Sequence, residues 1–167
     1  MLFYGVVTLQ AQTLSLQFNN LFKGNSIELG KQYKTDLGDS LYFSTLNYFI
    51  SNFKLVKYNG DIYEVPQDSS YFLLKQSELK STRIQLNNIP TGVYKGIEFT
   101  IGVDSVRNTM DASKRTGSLD VGGAARGMYW VWNSGYIFFK LEGKTINEVD
   151  SLNKQFRYHI GGYGVIS

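Results

Sequence analysis

The chain has no cysteine. That excludes a disulfide scaffold, a zinc–thiolate centre, an iron–sulfur cluster and a lipid-anchored cysteine. Only one of its 167 residues is histidine. A lone imidazole cannot build a closed structural zinc site, which takes four nitrogen or sulfur donors. Charge is sparse at 19%, and the lysines and arginines behind the net charge of +3 are scattered. A nucleic-acid surface needs those cations clustered. No apolar run is long enough to cross a membrane as a helix. Catalytic motifs are missing too. There is no glycine-rich phosphate loop ending in Lys-Ser/Thr and no Gly-x-Ser-x-Gly elbow, and a Ser-His-Asp triad would have to recruit the only histidine. Carboxylate pairs such as Asp104 with Glu142 are a question of geometry. The expectation is a protein that is not an enzyme.

What the chain does have is 12 tyrosines, 11 phenylalanines and 17 glycines against two prolines. Aromatic and β-branched residues punctuated by glycine favour strands and tight turns. Thr13–Phe18 alternates strictly and predicts a strand. Leu41–Tyr58 is the longest apolar stretch. Beyond Phe49 it predicts a strand, while Tyr42, Leu46 and Phe49 in its first half also fit a helical period. Asn59-Gly60-Asp61 is a hairpin signal leading into Ile62–Val65. Further strands are expected at Ser26–Leu29, Tyr71–Leu74, Thr82–Leu86, Val93–Ile101, Met128–Leu141 and Gln155–Ile160. Ile89-Pro90-Thr91-Gly92 predicts a turn. The 103–127 segment is polar and irregular, and loops of that length are commonly functional or disordered. The pattern predicts an all-β protein, an antiparallel β-sandwich of Greek-key type or an open barrel, with little helix. Residues 13–167 form the expected domain. Residues 1–12 read either as the remnant of a secretory signal or as a first strand. The abrupt ending GGYGVIS suggests a domain incomplete at its C-terminus.

Candidate site residues concentrate in GMYWVWNSGYIFFKLEG, Gly127–Gly143. Met128, Trp130 and Trp132 would share one face of a strand. Such a face is ordinarily core, but Asn133-Ser134-Gly135 follows at once, and bulges re-aim side chains near functional sites. His159 lies in the next strand. Imidazole suits copper or zinc, and copper(I) accepts thioether sulfur, so Met128 or Met110 could join it. Asp104, Asn108, Asp111 and Asp120 offer oxygen donors of the kind calcium uses, without EF-hand spacing. Turn chemistry accounts for them equally well.

The segments Leu46–Leu55, Ile89–Ser105, Gly117–Asp120, Gly127–Gly143 and Phe156–Gly162 resemble, in order, the MbnP-like copper-binding domain family of bacterial exported proteins. The resemblance implies a periplasmic or extracellular β-rich domain that binds copper for acquisition or storage. It also implies a di-haem cytochrome peroxidase-like partner that oxidises a tryptophan to kynurenine, which joins histidine as a copper ligand. Carried onto this chain, the metal-site residues are His159, Trp130, Trp132 and Met128, and either tryptophan is a candidate for oxidation. The relatives use two histidines where this chain has one. Two readings without copper remain. One is a metal-free β-sandwich binding or adhesion module for a protein, peptide or glycan. The other is an electron-transfer partner of a haem enzyme.

Overall fold

The apolar residues Leu41, Phe43, Leu46, Tyr48, Ile50, Phe53 and Leu55 step by two along the chain, except for two steps of three. A strand keeps one side of such a series buried only if an extra residue bulges out at each longer step. The computed structural model, which describes residues 11–130, 135–147, 149 and 152–162, shows this arrangement. Strands β1 (Ala11–Gln17), β2 (Leu21–Phe22), β3 (Asn25–Ser26) and β4 (Gln32–Lys34) precede the 18-residue β5 (Ser40–Lys57). Then come β6 (Ile62–Glu64), β7 (Tyr71–Lys75), β8 (Arg83–Pro90) and β9 (Tyr94–Ile101). A one-turn helix α1 (Ser105–Asn108) leads to β10 (Tyr129–Trp130), β11 (Gly135–Ile146) and β12 (Asn153–Gly161).

β5 is the spine of the large sheet. It pairs antiparallel with β4 and β11 along its first half and with β6, β7 and β9 along its second. Its register against β11 shifts between Glu142 and Gly143, where β5 runs from Thr45 to Phe43, so Ser44 is the extra residue. Its register against β9 shifts between Ser51 and Lys54. Asn52 lies there with φ 55°, a left-handed conformation that asparagine tolerates. All seven apolar residues therefore reach one core, which the β1–β8 sheet closes with Ile84, Leu86 and Ile89. This is an antiparallel β-sandwich. The helical alternative for the first half of β5 does not occur, because Leu46 and Phe49 enter different cores.

Phe49 projects into a second core with Leu73, Val103, Leu119, Ala125, Met128, Tyr136 and Ile137. The 103–127 segment covers it. Instead of running as an open loop, it carries α1 and two short 3-10 turns. Buried Asn108 ties it down, accepting from the Tyr136 amide at 2.8 Å and donating to the Gly162 carbonyl at 3.1 Å. The Tyr136 hydroxyl donates to the Leu119 carbonyl. The second core thus depends on satisfied polar anchors as well as apolar burial.

Gly143 marks the first bulge. A Cβ there would overlap the Tyr42 carbonyl oxygen and the Phe156 ring. Backbone cannot yield as a flexible side chain can, so Gly143→Ala is expected to destabilise the fold by about 1–3 kcal/mol, an overpacking cost. A urea unfolding midpoint equal to that of the wild type would contradict this account of the bulge.

Candidate metal centre

The sequence Phe139-Lys140-Leu141-Glu142 alternates strictly. Phe139 and Leu141 pack against the first core, and Lys140 and Glu142 take the opposite face. On β12, His159 sits directly across from Lys140 and Arg157 across from Glu142. On β5, Thr45 sits across from Glu142. Three strands therefore converge on the Glu142 carboxylate. His159 Nε2 lies 2.7 Å from Oε1, Thr45 Oγ1 donates to Oε2 at 3.2 Å, and Lys140 Nζ stands 3.7 Å from Oε1. The His159 and Glu142 side chains retain 27% and 23% exposure, enough for a solute to reach the pair. Lys140 Nζ also donates to the Gly127 carbonyl at 3.2 Å, which joins this polar face to the turn that begins the tryptophan hairpin.

Burial alone would raise the Glu142 carboxyl. The His159 hydrogen bond, the Lys140 ammonium and the Thr45 hydroxyl outweigh it and hold the group below its ordinary value.

The other sequence-predicted residues are placed as follows. Met128 is 1% exposed, inside the second core. Trp130 is partly buried against that core and pairs with Gly135 across the hairpin. Trp132 lies outside the described residues. Met110 Sδ accepts from Arg107 Nη1 at 3.8 Å. Among the described residues, no three of His, Cys, Asp and Glu come together to hold a metal. The described residues therefore fit one side of a copper site, an imidazole oriented by a carboxylate, and do not form a closed one.

The oxygen donors of the 103–120 segment are occupied by turn chemistry. Asp104 accepts from the Arg107 amide and from the Tyr71 hydroxyl, Asp111 accepts from Ser113, and Asp120 accepts from the Gly122 amide. Burial raises the Tyr71 hydroxyl to about 12, with the Asp104 carboxylate adding to the effect. Asp104 and Glu142 share no partner and belong to different clusters. The supporting residues Thr45, Lys140 and Glu142 were not among the sequence-predicted ligands. Their signal was the Lys-x-Glu pair interrupting the apolar run of β11.

The fold and the site define an all-β sandwich with a capped second core and a partly exposed histidine–carboxylate pair. The family model MbnP matches residues 11–166, and the chain belongs to that family. Among solved structures, MbnP from Methylosinus trichosporium has the same fold, with a TM-score of 0.65 at 16% identity. The match covers 91% of this chain and 63% of that one, so this chain spans less than two thirds of that relative's length. No curated protein matches this sequence.

Because its folded pKa is depressed, Glu142 contributes stability above the unfolded carboxylate pKa and loses it as pH falls through the folded value. The stability gap between wild type and Glu142→Gln should be present at neutral pH and shrink as pH falls from the ordinary carboxylate range through the depressed folded value. Chemical denaturation across that range checks it, and a gap that stays constant into acid would contradict the ionic role.

Proposed function

We propose that this protein is an exported, non-catalytic copper-binding protein that acts in copper acquisition or storage. Membership of the MbnP family and the sequence resemblance support the copper reading. The observation that carries it to a residue is the His159–Glu142 contact at 2.7 Å. A carboxylate holding one ring nitrogen fixes the orientation and tautomer of the imidazole and leaves the other nitrogen for a metal. Copper bound there would be held by a borderline imidazole donor, without chemistry on a substrate.

The second donor in this reading comes from the 127–143 hairpin, as Trp130 or Trp132 oxidised to kynurenine. That conversion cleaves the indole C2–C3 bond and places one oxygen atom on each carbon, a four-electron oxidation that turns two peroxides into two waters, and hydrolysis of the N-formyl group then releases C2 as formate. It needs an external oxidant, and a di-haem cytochrome peroxidase-like partner using peroxide is the proposed source. Export to the periplasm or the cell exterior belongs to the same reading. No helix among the described residues is long and apolar enough to cross a membrane.

Copper(I) titration of the protein produced with its partner, beside His159→Ala, tests this. The variant is expected to lose more than about 100-fold in affinity, beyond the usual effect of removing an outer-shell partner. Intact mass and peptide mapping should place an oxidation on residues 127–143. Unchanged affinity would remove His159 from the site. Absence of both binding and modification would favour the metal-free binding module. Tyr158 and Ile160, 58% and 60% exposed beside His159 on β12, are the observation that favours that second reading.

A further inference from the structure

A different part of the molecule buries a cation that no carboxylate pairs with directly among the described residues. Arg115 is only 7% exposed. Its guanidinium is stacked against Tyr129 and Tyr136, with ring centroids at 4.6 and 5.0 Å. Nε donates to the Met110 carbonyl at 2.9 Å, and Nη2 donates to the Met110 and Asn108 carbonyls at 2.7 and 3.2 Å. These contacts hold the side chain in one place but supply only neutral acceptors. Nη1 is buried and has no partner. Among the described residues, no carboxylate forms an ion pair with Arg115. A buried guanidinium in that state is costly, and an anion relieves the cost.

Arg115 lines a cavity of about 450 Å³ between the 107–119 segment and the start of β7. Its lining is mainly polar. Lys114, Thr116 and Ser118 share it, and Lys114 is exposed with no ion-pair partner among the described residues. Arg107 lines it too, with a buried Nε lacking a partner, but its charge is engaged by Asp68. The cavity therefore keeps two cations that no carboxylate pairs with directly among the described residues, one of them fixed in place by stacking.

We propose that this cavity is a binding site for the oxyanion group of a small ligand, a carboxylate or a phosphate. Arg115 is the buried anchor and Lys114 the cation at the mouth. A planar guanidinium with one edge committed to carbonyls keeps Nη1 as an unpaired charge-assisted donor beside the cavity, and the Lys114 ammonium adds attraction and faster capture. The site is separate from the His159–Glu142 pair, which lies on the β5–β11–β12 face.

Calorimetric titration of the full chain with sodium phosphate, and separately with sodium acetate, tests this at ionic strength held constant with chloride. Saturable heat with at least one of the two is expected, and the tighter of the two identifies the ligand class. Lys114→Ala, at an exposed position, is expected to weaken binding about fivefold, the worth of one exposed charge. Arg115→Lys keeps the charge but loses the fork and should weaken it about tenfold or more. If Arg115→Lys fails to fold, Lys114→Ala and Thr116→Val decide. No saturable heat with either anion would overturn the proposal, as would binding that both exposed-rim variants leave unchanged.

Discussion

Everything in this molecule depends on β5 serving two cores from one continuous strand. A regular strand of 18 residues would send alternate side chains to opposite faces along its whole length. The extra residues at Ser44 and near Asn52 shift the phase twice, and the first core receives seven β5 side chains instead of losing its face partway. Between the bulges, Phe49 is left for the other side. That single aromatic, edge-on to Tyr136 with centroids 5.3 Å apart, is the β5 residue around which the second core forms.

The second core gives the candidate site its frame. Tyr136 anchors the start of β11 through three different interactions: its amide to Asn108, its hydroxyl to Leu119 and its ring against Phe49 and Tyr129. Burial holds its phenol up at about 12, so the hydroxyl stays protonated and keeps donating at any physiological pH. Five residues further along the same strand is Leu141, between Lys140 and Glu142 on the polar face. The carboxylate that orients His159 therefore inherits its position from a buried, fully bonded tyrosine.

The sequence pattern revealed the sandwich, most strands and the hairpin at Asn59-Gly60 because alternation and turn chemistry are local signals. The first half of β5 was ambiguous for a physical reason. The bulge at Ser44 lengthens the core-facing step from Phe43 to Leu46 to three residues, and that spacing imitates a helix. The order of the 103–127 segment was not legible, because it comes from Asn108 and Arg115 bonding to backbone carbonyls and amides distant in sequence or hidden in turns. His159 stood out by its rarity. Glu142 did not, since its role depends on a diagonal contact across β11 and β12 that only register establishes.

The placement of Met128 shows how a local pattern can single out a side chain that the fold then encloses. Sharing a strand face with Trp130 was the reason to consider its sulfur as a ligand. Yet Tyr129 and Trp130 both pack against the second core, so a two-residue strand at the edge of a turn does not separate its faces as a longer strand does. Met128 fills the space between Ala125 and Ile137, its amide bonded to the Ala125 carbonyl and its carbonyl to the Ile137 amide at 2.9 Å each. A thioether so enclosed stabilises the base of the hairpin by packing. It sits beside the Gly127 turn, whose carbonyl accepts from the Lys140 ammonium and so ties that turn to the His159–Glu142 face.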